Sequence, residues 1–277
     1  MIARPHPKAL PKRPVGQPTR GKTARNRLRR VDTFLSLYCP SLISRKDGDF
    51  GRALFVDLGY GATPNTTLES AARLRRLNPE LGVLGVEIAP ERVESAQAFA
   101  DDRTHFRLGG FNLPLRERET VRVIRAFNLL RQYDETEVAE AHALLGRQLL
   151  PGGLLIEGTS DPFGRTWVAN LLRRTEDAGA GLKSEGLVFS MSLRIEFDPA
   201  MFQPVLPKNY IHHMTPGEPI HAFFETWKQA ARETIAMKTW GPRSWFVAAA
   251  QRVAEFGWTV CLRRNLLTRG FLVVKVQ

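Results

Sequence analysis

Between residues 53 and 157, short apolar runs alternate with amphipathic stretches, and this alternation restricts the fold more than any other feature of the chain. Residues 53–58 (ALFVDL) are almost continuously apolar, as a strand buried on both faces must be. A glycine-containing turn follows. Thr66 and Glu69 then make a capping-box pair that opens a helix with Leu68, Ala71, Ala72, Leu74 and Leu77 on one face. Residues 82–88 (GVLGVEI) read as a second strand, and Pro90 starts a second helix that runs to residue 100. Thr104–Leu108 and Val121–Phe127 read as the third and fourth strands. Asp134, with Glu137 three residues on, caps a helix over 135–150, Pro151-Gly152-Gly153 ends it, and residues 154–157 are a fifth strand. Strands alternating with helices predict an α/β fold with a mostly parallel sheet covered on both faces.

The region after residue 160 is less regular. Residues 187–197 alternate strictly between apolar and polar, the pattern of a half-buried strand, here assigned to a sheet edge. Residues 198–219 hold five prolines and read as an ordered loop. Residues 220–237 are amphipathic, and Phe223, Phe224 and Trp227 read as core packing. A helix over 244–256 and a hairpin of 258–262 with 271–276 complete the chain. Two assignments stay open. The hairpin supplies the sixth and seventh strands, leaving 162–242 as an insertion or lid at the carboxyl edge of the sheet. Alternatively 166–176 is a helix and 187–197 the sixth strand.

Charge divides the chain. The net charge is +12, but residues 1–30 hold ten Lys/Arg and no carboxylate, leaving 30 basic against 28 acidic residues in 31–277. Residues 1–24, with five prolines in the first twenty, predict a flexible basic tail ahead of a domain over 25–277. The basic balance therefore describes the leader and not the body. From Asn26 the pattern becomes helical, with Leu28, Val31, Phe34, Leu35 and Tyr38 on one face. Cys39 and Cys261 have no metal-ligand spacing, so no metal is expected, and they read as two reduced thiols of a cytoplasmic protein. No apolar run is long enough to span a membrane.

The segment Phe55-Val56-Asp57-Leu58-Gly59-Tyr60-Gly61 places an acidic residue at a strand end, then a Gly-x-Gly turn that lets a ligand approach the backbone. A dinucleotide site fits poorly. Pro64 stands where the third glycine would be, and Asp57 would repel a pyrophosphate. S-adenosylmethionine has no phosphate and carries an ammonium and a sulfonium, so an acidic turn suits it. Glu87 closes the second strand, where a carboxylate can accept from both ribose hydroxyls.

These segments, with VEIAPERV, FRLGGFNLPL, VIRAFNLLRQY and LLPGGLLIEGTSD, resemble the class I (Rossmann-like) S-adenosylmethionine-dependent methyltransferases over about residues 50–160. NRLRRVD and LPKNYIHHMTPGE resemble an actinobacterial-type group within them. The resemblance implies a seven-stranded sheet in the order 3-2-1-4-5-7-6. It implies that Asp57, Gly59, Tyr60 and Gly61 hold the methionine part and Glu87 the ribose. Gly110, Phe111 and Asn112 would flank the adenine, and Asn128 would face the reacting methyl.

Ligands on open α/β sheets bind beyond the carboxyl ends of the strands. That rule selects Asn128, Arg131 and Tyr133 after the fourth strand, and Thr159, Ser160, Asp161 and Arg165 after the fifth. Residues 207–221 hold His212, His213 and His221, and this loop is expected over the active site, with Tyr210, His212 and His213 contacting the acceptor. RAFN stands where the Asp/Asn-Pro-Pro-aromatic signature of amino-group methyltransferases would fall, which disfavours that chemistry. The acceptor stays open between a small molecule, slightly favoured, and RNA gripped by the basic leader. A protein carboxyl methyltransferase and a non-catalytic S-adenosylmethionine-binding protein are the remaining readings. No obligate protein partner is evident.

Overall fold

A computed structural model describes residues 13–19, 23–175 and 181–276. Its helices in chain order are α1 (Arg29–Tyr38), α2 (Pro40–Ser44), α3 (Asn65–Leu74), α4 (Pro90–Ala96), α5 (Glu135–Gly146), α6 (Lys208–Ile211), α7 (Pro219–Glu233), α8 (Pro242–Glu255) and α9 (Arg264–Leu267). Its strands are β1 (Leu54–Leu58), β2 (Val83–Glu87), β3 (Thr104–Leu108), β4 (Val121–Phe127), β5 (Leu149–Ser160), β6 (Thr166–Arg174), β7 (Leu182–Met191) and β8 (Phe271–Val274). The five expected parallel strands form, β1 lying between β2 and β4, with β3 outside β2 and β5 outside β4. The Asp134 capping box with Glu137 opens α5 as the residue types require. The Thr66/Glu69 pair does not cap α3. Thr66 donates to Asp57 at 2.8 Å, and Glu69 accepts from the Asn26 N–H at 2.9 Å.

Beyond β5 the sheet departs from the order 3-2-1-4-5-7-6. It has eight strands in the order β3-β2-β1-β4-β5-β6-β7-β8, and β6, β7 and β8 continue as an antiparallel meander. The cause is the connection after β5. Asp161 accepts from the N–H groups of Phe163 (2.7 Å), Arg165 (3.1 Å) and Thr166 (3.0 Å), closing a turn too short for the crossover a parallel neighbour needs. Thr166–Arg174 is thus a strand and not a helix. The 162–242 insertion is corrected too, because β6 and β7 belong to the sheet and α7 and α8 form its cover. The final hairpin shrinks to a single bridge, Val260 with Val274, beside β8.

Alternation along the meander sorts its side chains. Trp167, Ala169, Val188, Phe271 and Val273 face a cluster built with α1 and α9. Val168, Leu187, Phe189, Leu272 and Val274 face a cluster built with α7 and α8, where Trp227 and Phe223 are fully buried core residues. Among the described residues no helix is long and apolar enough to cross a membrane.

Candidate active site

The site is built at the carboxyl ends of β1, β2 and β4. Gly59 (φ 67°) and Gly61 (φ 88°) take the left-handed turn that L side chains resist. A Cβ at Gly59 would lie 2.3 Å from Leu129 Cδ2, so the turn packs flush against the chain leaving β4. Glu87, 1% exposed, receives the Gly61 N–H at 3.0 Å and the Ile88 N–H at 3.0 Å, with the Arg92 guanidinium 3.5 Å away. Its carboxylate thereby faces the glycine turn across the end of the sheet.

Two chambers meet at Gly59. One, a cavity of about 30 Å³, is lined by Gly59, Glu87, Ile88, Gly110, Phe111 and Tyr133. The other, of about 50 Å³, is lined by Thr23, Arg27, Gly59, Gly61, Phe127 and Asn128. Asn128 holds a left-handed φ of 61°, which a short polar residue tolerates best. Its amide is fixed at both ends: Nδ2 donates to Ser160 Oγ at 3.2 Å, and Oδ1 accepts from Ser160 N–H at 2.9 Å. Arg27 Nε donates to Ser160 Oγ and to the Asp161 carbonyl, both at 3.1 Å, which brings a guanidinium to the rim of the second chamber. Burial lowers its pKa, Asp161 opposes that shift, and Arg131 adds to it.

Three expected cofactor contacts are corrected. Asp57 lines neither chamber. Alternation along β1 sends it with Phe55 to the face under α3, where it accepts from Thr66 and Thr67 at 2.8 Å each and pairs with Arg125 Nη2 at 2.8 Å. Tyr60 borders the second chamber, but its ring packs edge-on against Phe106, 5.4 Å between centroids, and its hydroxyl donates to the Arg92 carbonyl at 3.3 Å. Burial, then the charges of Glu87 and Asp57, push that phenol up, so it stays neutral. Asn112 does not face adenine space. It is taken up by the chain's own N-terminal segment, as follows.

Residues 13–19 cross the mouth of the first chamber as an extended strap. Val15 N–H donates to Asn112 Oδ1 at 2.7 Å, Phe111 N–H to the Val15 carbonyl at 2.8 Å, and Asn112 Nδ2 to the Arg13 carbonyl at 2.8 Å. Gln17 N–H donates to the Tyr133 hydroxyl, and Arg92 donates to the Thr19 carbonyl at 3.2 Å. A Cβ at Gly110 would lie 2.0 Å from the Val15 carbonyl oxygen, so glycine there is what admits the strap. The expected flexible tail over 1–24 is corrected for these residues, because they spend their backbone hydrogen-bonding groups on the site; residues 1–12 and 20–22 lie outside the described residues. The strap, Thr23 and Arg27 are the site features that sequence reasoning missed.

Tyr210, His212 and His213 are not brought to the chambers. Tyr210 packs on the α7–α8 cluster. His213 lies beside the first turn of α5, with Nε2 2.7 Å from Glu135 and Nδ1 3.2 Å from Glu218. The loop 207–213 thus packs beside α5, with α6 against that helix. The hydrogen bond to Glu135, seconded by Glu218, raises the His213 pKa. A raised folded pKa stabilises below the unfolded value of about 6.5, and that stability is lost as pH rises through the folded pKa. His213→Ala is therefore expected to cost under about 1 kcal/mol at pH 6, because the pair is solvent-screened. At pH 9 it should cost nothing. Thermal melts at both pH values check this, and an equal cost at pH 9 would refute it.

No family model matches the chain, and no curated protein matches it. Solved structures with similar portions include LepI in complex with SAM, at 17% identity and a TM-score of 0.34 over 44% of this chain and 30% of that one. The citrinin polyketide synthase CMeT domain aligns at 16% identity and a TM-score of 0.33, over 40% of this chain and 30% of that one. A Plasmodium falciparum protein-L-isoaspartate O-methyltransferase, described as putative and bound to S-adenosyl-L-homocysteine, aligns at 15% and 0.34 over 56% and 67%. The chain spans under a third of the length of the first two, and likenesses this partial carry nothing about what it binds.

Proposed function

We propose that the chain is an S-adenosylmethionine-dependent methyltransferase. The observation that carries this reading is Glu87: a buried carboxylate at the end of β2, directly opposite a left-handed Gly59–Gly61 turn, at the edge where open α/β sheets take ligands. Neither chamber offers the third glycine and bare helix N-terminus that a pyrophosphate needs, since Pro64 precedes α3.

The lining residues suit the group in kind, but the first chamber holds only about 30 Å³ beneath residues 13–19, so a nucleoside enters only with that strap lifted. Glu87 would take the ribose hydroxyls, Ile88 and Phe111 would wall the adenine, and the Gly59–Gly61 turn with Arg27 would take the amino-carboxylate end. S-adenosylmethionine supplies an activated methyl on a sulfonium. Because the sulfonium leaves readily, the chain's task is positioning. Asn128, held rigid by Ser160 on the wall of the second chamber, would orient the acceptor.

Calorimetry tests the reading. S-adenosylhomocysteine is expected to bind in the micromolar range, and Glu87→Gln to weaken it by about 1–2 kcal/mol through the lost charge-assisted bonds. Absence of binding to the wild type, or tight binding of NAD instead, would overturn it.

A further inference from the structure

Six arginines, Arg27, Arg30, Arg131, Arg165, Arg194 and Arg269, stand along the carboxyl edge of the sheet between the ends of β4 and β8. Arg131 follows β4 and lies close enough to Arg27 to act on its charge. Arg27 is bound to Ser160 and Asp161 at the end of β5, and Gly164 of the β5–β6 turn packs against its carbonyl. Arg165 in that turn accepts through its carbonyl from the Ser192 N–H at 2.6 Å, which brings in Arg194 after β7. Gly270 packs on the Met191 carbonyl and Leu193, and Arg30 donates to the carbonyl of Arg269 at 2.8 Å, which closes the row at β8.

Among the described residues none of these six forms a salt bridge; the guanidiniums of Arg27 and Arg30 are spent on hydroxyl and carbonyl oxygens, and Arg131, Arg165, Arg194 and Arg269 are exposed. Asp161, the acid in the middle of the row, spends both oxygens on backbone N–H groups. At the tip of the β5–β6 turn stands Phe163, 68% exposed, with the Arg165 guanidinium 5.3 Å from its ring centre.

We propose that this edge is a track for single-stranded nucleic acid leading into the candidate active site. A small anion needs one or two cations in a pocket. This row crosses four strand spacings, roughly 19 Å at about 4.8 Å each. That is the reach of about five stacked nucleotides at about 3.4 Å each. Arginines bind successive phosphates, and an exposed aromatic among them offers any base a stacking face. The binding surface stands without the methyl-transfer reading; that it delivers the acceptor rests on that reading.

The test uses the full chain and a fluorescein-labelled 20-nucleotide oligouridylate, followed by anisotropy across a salt series. Arg131→Glu/Arg165→Glu/Arg269→Glu is expected to weaken binding at least tenfold and to flatten the log–log salt slope by roughly one unit per arginine. Phe163→Ala should weaken it about tenfold with the slope unchanged. Arg52→Glu/Arg147→Glu, at the amino edge, should bind as the wild type does. Equal loss in that control overturns the proposal, as does full binding by the triple variant with loss only on removing residues 1–22. Equal affinity for a poly-glutamate peptide overturns it in favour of an acidic protein partner. S-adenosylhomocysteine calorimetry on the same variants keeps the two readings apart: a wild type that binds the oligonucleotide but no cofactor sinks the methyltransferase reading alone.

Discussion

Replacing Arg125 by methionine is expected to cost about 3–5 kcal/mol of stability, the penalty for stripping buried carboxylates of their partner. Arg125 is fully buried on β4, with Nη1 2.6 Å from Asp32 on α1 and Nη2 2.8 Å from Asp57 on β1. It also donates to Ser70 Oγ at 2.5 Å and to the Thr66 carbonyl at 3.2 Å, tying α3 to the sheet. Burial pushes the Asp32 carboxyl up, and Arg125 and Arg73 pull it back. Without Arg125, Asp57 loses its cation outright and Asp32 keeps only Arg73, 2.8 Å away. The melting temperature should fall by roughly 10 °C. Cofactor affinity should also fall well below the transition, because Asp57 with Thr66 and Thr67 holds the start of α3 beside the glycine turn. Adding Asp57→Asn to Arg125→Met should recover part of the loss. A single variant that melts within 2 °C of wild type, on the order of the noise of a 1 kcal/mol effect, would show the network to be idle.

That network also shows where the sequence was legible. Hydrophobic continuity marked β1, β2 and β4 correctly, since strands buried on both faces must be apolar throughout. Arg122 and Arg125 in VRVIRAF broke that rule in plain sight, and each break has a use. Arg122, also buried, donates to the carbonyls of Ala53, Leu42, Ile43, Arg45 and Phe50, fastening the amino end of β4 to the chain before β1. The meander was readable too. Asp161-Pro162-Phe163-Gly164 carries Asp, Pro and Gly at the first, second and fourth positions of a type I turn, and β-branched and aromatic residues follow it. The family pattern, which expects a helix after the fifth strand, displaced that local signal. The 187–197 alternation found only the second half of β7 and overran its end, because Ser192 leaves the sheet to reach the Arg165 carbonyl, and the strand is no edge, since β6 and β8 pair with it on either side.

The positions of the glycine turn, Glu87 and Asn128 at the carboxyl edge could be read because strand ends fix them; their roles toward a cofactor belong to the proposal. Asp57 could not, since a strand-end acid looks alike whether it faces a ligand or an arginine on the next strand. The histidine loop failed for a related reason. Polar residues in a proline-framed loop show that the loop is exposed to solvent, not which side of α5 it will occupy. The strap was hidden by its own composition. Pro14 and Pro18 around Val15-Gly16-Gln17 exclude helix and suggest disorder. The same prolines hold the chain extended, so little further entropy is lost when its backbone groups find partners on Asn112, Phe111 and Tyr133.

Removing residues 1–22 is therefore expected to release S-adenosylhomocysteine roughly a hundredfold faster than the full chain does. The strap covers the first chamber, and at least five hydrogen bonds hold it there. If each contributes about 0.5–1 kcal/mol net, opening costs on the order of 3 kcal/mol, which for a gated exit is about two powers of ten. The fold should survive, because the deletion stops short of Thr23, Arg27 and α1. Point variants separate the strap from the tail's charge. Gly110→Ala places a methyl where the Val15 carbonyl lies and should lift the strap, giving most of the acceleration with every cation retained. Tyr133→Phe removes the acceptor for Gln17 N–H and should accelerate release about threefold. Stopped-flow displacement of the bound ligand measures all three. A truncated chain that releases no faster would mean the strap is not the gate. One that binds tighter would mean that the strap occupies the cofactor's own space and competes with it, so that Gly110→Ala should then also gain affinity and not lose it.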